Sequence, residues 1–266
     1  MNLLCPICGL ELNKEDKRYL CLNNHSFDVA RQGHVNLLVV QQKHSLNPGD
    51  TREQVLSRRE FLEAGHYAPI AETLIATAKA LGISGEILDV GCGEGYYSAR
   101  LADALGARLT GLDISKEAVR EVGKKNPRIS LAVAGSYHMP IADGSLDAVV
   151  NTFSPLALSE TLRVLRRGGI FVMAIPGVEH LFELKAAIYD SPYKNTVEST
   201  ELDGFRLVFS ESLTYAMHLD SAEKIRSLFM MTPYAYRTRT ENAERVFSLD
   251  KLDCTADFCL FVYEKE

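Results

Sequence analysis

The apolar positions of this chain change rhythm along its 266 residues. Residues 1–34 are polar and turn-rich, with too few apolar side chains to build a core unaided. "VNLLVVQQKHSLNPGDTREQVLSRRE", residues 35 to 60, reads as a short strand, a Pro-Gly turn and the opening of a helix. "YAPIAETLIATAKALG" then shows helical spacing that stops at a glycine. From there strands and helices alternate. Strands are predicted at "EILDV", "RLTGLDIS", "ISLAVAG", "SLDAVVNTFS" and "IFVMAIPG", and helices at "YYSARLADALG", "KEAVREVGKKN" and "LSETLRVLRRGG". Strands separated by helices of this length form a mostly parallel sheet covered on both faces. From about Val178 the pattern is less regular. Helices are expected at "VEHLFELKAAIYD" and "SAEKIRSLFM", and "TADFCLFVYEKE" reads as an antiparallel strand at the edge of the sheet.

One turn in this α/β pattern carries chemistry. "DVGCGEGYYS" sets Gly91, Gly93 and Gly95 between a strand and a helix, where glycine allows a tight turn and a close ligand approach. Asp113 ends the next strand and can accept both hydroxyl protons of a ribose. A dinucleotide fingerprint would need a third glycine at position 96, which is Tyr96. Asp89 before the turn and Glu94 within it suit a cationic cofactor better than a pyrophosphate. S-adenosylmethionine, with a sulfonium, an ammonium and no phosphate, is therefore favoured over NAD; the alternative without chemistry is a glycine turn that serves packing. The expected fold is a Rossmann-like class I S-adenosylmethionine-dependent methyltransferase. Ser136, after the third strand, is expected to line the adenine pocket. "NTFSP", residues 151 to 155, ends a strand at the carboxyl edge, where ligands of open α/β sheets bind. Candidates to accept a proton there are His138, His180 and Asp143, with no ranking among them.

The N-terminal segment carries a second chemistry. Cys5 and Cys8 in "CPICG", followed by Cys21 and His25, have the spacing of a tetrahedral zinc site. His34 is a rival for the fourth position. Four protein ligands leave no open coordination site, so the metal is expected to be structural and to stabilise a segment with little apolar content. Cys92, Cys254 and Cys259 read as core or loop filling.

Composition narrows the options. Lys and Arg number 29 against 35 Asp and Glu, a net charge of -6, which argues against indiscriminate polyanion binding. Between Arg31 and Arg59, however, five basic residues face two acidic ones. No apolar run approaches the roughly 18 residues that span a bilayer, and no export signal is evident at the start. The cytoplasm and reduced thiols are therefore expected.

These motifs together resemble the bacterial 23S ribosomal RNA guanine-N1 methyltransferases that modify the helix 35 hairpin. The resemblance runs nearly end to end, through the zinc set, "GHVNLL", "NPGD", "RREFLEAGHY", "LDVGCGEGYY", "PGVEHLFELKAAIY" and "MTPYAYRTR". It implies a zinc module that helps hold an RNA hairpin, a class I domain that carries S-adenosylmethionine, and a homodimer. It implies cofactor contacts at Tyr67, Gly93, Glu94 and His180. Of the family's two targets, guanines 745 and 748, "VQQKHSLNPGD" looks more like the first branch. The expected organisation is a zinc-binding module over 1–34, a connector with leading helices over 35–80, and the methyltransferase domain over 81–266. The expected partner is 23S ribosomal RNA, with no DNA and no membrane. Two other functions remain open: a small-molecule methyltransferase with a zinc-stabilised lid, and a non-catalytic RNA-binding or ribosome-assembly protein.

Overall fold

The structure, a computed structural model, describes residues 3–42, 48–197 and 200–266. Lys43 and His44 of the basic connector, and Asn47 of "NPGD", lie outside the described residues. Near the N-terminus, β1 (Asn13–Glu15), β2 (Arg18–Leu20) and β3 (Ser26–Asp28) form a small antiparallel sheet. β4 (His34–Asn36) leaves this module and joins the large sheet as its outermost parallel strand, so the expected division between 34 and 35 falls inside an element. α1 (Arg52–Glu63) starts at a capping box in which the Thr51 hydroxyl accepts from the Gln54 N–H and Gln54 reaches back to the Thr51 N–H. α2 (Ala68–Ala80) follows with a proline in its first turn.

The alternating region forms β5 (Glu86–Val90), α3 (Tyr96–Leu105), β6 (Arg108–Asp113), α4 (Lys116–Lys125), β7 (Ser130–Val133), β8 (Leu146–Thr152), α5 (Leu158–Val164) and β9 (Leu165–Pro176). α6 (Phe182–Ile188), β10 (Phe205–Leu219), α7 (Ala222–Met231), α8 (Tyr234–Arg237), α9 (Thr240–Phe247) and β11 (Leu252–Lys265) complete the chain. The sheet order is β10-β11-β9-β8-β5-β6-β7-β4, parallel from β9 to β4 and antiparallel at β10 and β11. Successive strands β5, β6 and β7 run to one side, and β8 returns to the other side of β5. The carboxyl ends of β5 and β8 therefore flank the crevice where such sheets bind ligands.

Two sequence expectations are corrected. The closing segment is antiparallel but interior, because β10 pairs along its whole length and becomes the edge. The helix at "LSETLRVLRRGG" ends at Val164 rather than at the glycines. Leu165 is already in register with Leu146 of β8, and Arg166 bonds Asp147 at 2.7 Å, so sheet pairing takes over where helical spacing continues.

Apolar layers cover both faces of the sheet. Ile87 belongs to the layer under α2, α3 and α7, while Leu88 and Val90 belong to the opposite layer. All three are 0–1% exposed, and burying each such side chain contributes about 1.5–3 kcal/mol. The second layer also contains Leu3, Cys5, Leu12 and Cys21. Leu4 N–H bonds the Pro140 carbonyl at 2.9 Å, and Leu3 pairs with Ile141. The N-terminal module is thus packed into the core of the large domain.

Candidate functional site

The first cluster is built by two tight turns. Gly9, with φ at +73°, closes the "CPICG" knuckle through a 2.8 Å bond to the Cys5 carbonyl. The Leu10 N–H points at Cys8 and holds its thiol below the ordinary value; burial pushes the Cys5 thiol up, against the N–H groups of Ile7 and Cys8. The second turn, tied by Asn24 N–H to Cys21 carbonyl, carries Cys21 and His25. The four donor atoms lie within 4.8 Å of one another. Cys8 and Cys21 sulfurs are 3.7 Å apart, and His25 Nδ1 is 3.4 Å from Cys5 Sγ and 3.5 Å from Cys21 Sγ. A tetrahedron with Zn–S bonds of about 2.3 Å and Zn–N of about 2.0 Å has edges of about 3.5–3.8 Å. The donors therefore fit zinc, with His25 offering Nδ1. His34 is buried in β4 and is not in this group.

The second cluster surrounds the glycine turn. Gly91, Gly93 and Gly95 have φ of +73°, +54° and +86°, the left-handed region that side chains resist. A Cβ on Gly91 would lie 2.4 Å from Ser154, so the crevice between β5 and β8 closes only around glycine. The turn is pinned to β6: Gly91 and Cys92 N–H groups bond the Leu112 carbonyl, and Gly93 N–H bonds Asp113 Oδ2 at 2.9 Å. Ser115 N–H takes Asp113 Oδ1 at 2.7 Å. Asp89 is 1% exposed; Ser98 donates to its Oδ2 at 2.5 Å, and its Oδ1 has no partner among the described residues. Burial pushes the Asp89 carboxyl up to about 7, against the Ser98 bond. Burial also raises Glu94, opposed by Arg58, and raises Asp113, opposed by the N–H groups of Ser115 and Gly93. Two buried carboxylates, Asp89 with an orphaned oxygen and Glu94, and the half-buried Asp113 converge on a turn whose three glycines leave room beside them. This fits the cationic end and the ribose of S-adenosylmethionine. Ser136 lies farther along the carboxyl edge, half-buried in a single 3-10 turn after β7.

Tyr67 and His180 meet beside this turn although 113 positions separate them. The Tyr67 hydroxyl is 3.1 Å from His180 Nε2, and both rings pack on Phe258. His180 Nδ1 accepts the Asp257 N–H at 3.3 Å, which leaves the proton of the neutral ring on Nε2, donating to Tyr67. Burial lowers His180 to about 4. With both nitrogens engaged, His180 does not serve as a proton acceptor. Asp143 is removed from the candidates for another reason: it precedes β8 on the amino edge and is bound by Arg163 at 2.6 Å. His138 is exposed at the carboxyl edge. Phe153, at φ +58°, turns the end of β8 and packs against Tyr67, Tyr97 and Phe258. Tyr96 and Tyr97 are buried core rings.

The connector contributes residues that the charge pattern alone did not single out. Arg58 of α1 pairs with Asp50 and donates to the Met231 carbonyl at 3.1 Å. Its Nη1 would be 3.9 Å from a Cβ on Gly93. Asp50 is strapped down, its carbonyl accepting from the Ser115 hydroxyl at 2.7 Å and its carboxylate from Tyr236 at 3.2 Å. The quoted motifs "NPGD" and "RREFLEAGHY" contained these residues, but only the fold shows that they meet at the glycine turn.

Two families of known proteins match separate parts of the chain. Residues 3–46 match a zinc-ribbon family described as "RlmA, N-terminal", and residues 87–169 match one described as "Methyltransferase domain". A Streptomyces fradiae protein named 23S rRNA (guanine(748)-N(1))-methyltransferase is 38% identical over 191 residues, 70% of this chain and 67% of that one. A Bacillus subtilis protein, YxjB, named putative 23S rRNA (guanine-N(1)-)-methyltransferase, is 29% identical over 271 residues, 97% of this chain and 95% of that one. Among solved structures, the MccD protein has a TM-score of 0.51 at 22% identity, covering 74% of this chain and 99% of that one, a likeness of fold.

Proposed function

The chain belongs to the 23S rRNA (guanine-N1)-methyltransferase family, and from that premise we propose that it methylates N1 of a guanine in the helix 35 hairpin of 23S ribosomal RNA. The observation that carries this is the joining of two clusters in one core: a Cys3His zinc set packed on the sheet whose glycine turn bears Asp89, Glu94 and Asp113. The family match over residues 3–46 favours RNA over a small molecule as the substrate, and the glycine turn with its carboxylates favours an enzyme over a vestigial binding protein.

Bound S-adenosylmethionine supplies a methyl group already activated by its sulfonium. The residues of the chain orient and exclude. Asp113 would accept from the ribose hydroxyls, Asp89 and Glu94 would face the cationic end, and Tyr67, held by His180, would help line the pocket. Guanine N1 carries a proton that must leave for the base to take the methyl group, so the chain would supply an acceptor at the carboxyl edge. Of the three acceptor candidates only His138 keeps an unengaged ring on the carboxyl edge. The guanine is reached by splaying it from a loop. Residues 1–34 hold the RNA, 35–80 connect, and 81–266 carry the chemistry, in a cytoplasmic homodimer. No described helix is long and apolar enough to cross a membrane.

Guanine 745 is the position that the connector favours, whereas the Streptomyces fradiae relative is named for 748. The test uses purified protein, labelled S-adenosylmethionine and ribosomal RNA lacking the mark. Label in RNA, with a primer-extension stop at 745, is the expected result. A stop at 748 reassigns the position, and label in a small phenol or quinone with none in RNA overturns the function.

A further inference from the structure

The carboxylates around the glycine turn leave one part of the cofactor unmatched. Asp50, Asp89, Glu94 and Asp113 suit an ammonium, a sulfonium and ribose hydroxyls, but they repel the carboxylate of an amino-acid tail. A cation facing the turn would complement that carboxylate. His180 is neutral. Lys185 is saturated by the Tyr193 carbonyl, the Asn195 amide oxygen at 2.5 Å and the Tyr193 ring. Lys125 is paired with Glu63. Arg58, although it also holds Asp50, is set over Gly93 and attracted by Asp50, Glu94 and Asp113.

We infer that Arg58 receives the methionine carboxylate of S-adenosylmethionine, an assignment that rests on the cofactor reading proposed above. The guanidinium has five N–H groups. One goes to Asp50 and one to Met231, which leaves three without a partner among the described residues. The two contacts use one N–H on each terminal nitrogen, so one N–H on Nη1, one on Nη2 and the Nε–H are left to meet a carboxylate in bidentate fashion. Its anchors also fix its position. Asp50 is held by Ser115 and Tyr236, Gly49 wedges against Ser115 where a Cβ would lie 2.8 Å away, and the Arg58 side chain as a whole is half-buried. The binding of the amino-acid tail thereby depends on α1, an element outside the alternating sheet domain.

Isothermal titration of the full-length protein with S-adenosylhomocysteine and with its decarboxylated analogue, which keeps the ammonium, tests this. The wild type is expected to bind the carboxylated ligand roughly ten- to a hundredfold more tightly, the worth of a hydrogen bond to a charged group. Arg58→Met is expected to erase that preference while leaving the affinity for the decarboxylated analogue within about threefold. Arg58→Lys should retain part of it. A wild-type preference below about threefold overturns the assignment without any variant. An equal loss for both ligands in Arg58→Met reduces Arg58 to a strut between Asp50 and Met231, and also overturns it. If the wild type binds neither ligand, the cofactor reading itself fails.

Discussion

Replacing His180 with glutamine is expected to remove a defined part of the acid sensitivity of this protein. The ring is 7% exposed and its burial holds it near a pKa of about 4, against 6.5 for the free side chain. As pH falls, the unfolded chain takes the proton first. The neutral ring therefore contributes its full stability above about 6.5, and loses it as pH drops through the folded value near 4. The separation corresponds to about 3 kcal/mol in total, of which roughly 2 kcal/mol is lost between pH 7 and pH 4.5. Glutamine can donate to Tyr67 and accept from the Asp257 N–H without titrating. Urea denaturation of both proteins at pH 7 and pH 4.5 isolates the effect as a difference of differences, and zinc loss in acid is common to both. Wild type should lose roughly 2 kcal/mol more than His180→Gln. Parallel losses would refute a ring that burial keeps neutral in the folded protein. The pH profile of kcat gives a second check: if His180 is not the acceptor, the variant keeps the wild-type shape.

Three further outcomes follow from the two clusters. Wild type should contain one zinc per chain, and Cys21→Ser should lose it; because Cys21 shares an apolar layer with the sheet, calorimetry should show one lowered transition for the whole chain rather than a separate melting of the module. Cofactor affinity should rise with pH through about 7, where Asp89 ionises and meets the cationic end, by up to roughly tenfold per unit below that value; titration calorimetry of Asp89→Asn should give a flat profile. Gly91→Ala should abolish cofactor binding and destabilise the fold by roughly 1–3 kcal/mol, read by the same calorimetry and by thermal melting, because its Cβ would overlap Ser154 at a φ that alanine resists.

Local rules made much of this protein legible. Metal-ligand spacing is set by short-range turn geometry, so Cys5, Cys8, Cys21 and His25 converge within their own segment. The glycine turn and its aspartate are likewise read from neighbours, because a strand, a tight turn and a helix recur at short spacing. Long-range pairing is a different matter. Nothing local in "LRRGG" distinguishes a helix end from a strand start until β8 supplies Leu146 as a partner. Nor does "FRLVFSESLTYAMHL" announce an edge strand, since most of its side chains face solvent and its order comes from β11.

What the sequence determined by itself is chemistry that short segments carry: a donor set for zinc, a glycine-rich turn and the carboxylates placed in and beside it. What the tertiary structure decided is which distant groups share that space. It joined Tyr67 to His180 and spent both imidazole nitrogens, put Asp143 on the wrong edge, and set Arg58 over Gly93. Hydrogen-bond partners, burial and counter-charge are properties of neighbours in space, and for these residues those neighbours are tens to more than a hundred positions away.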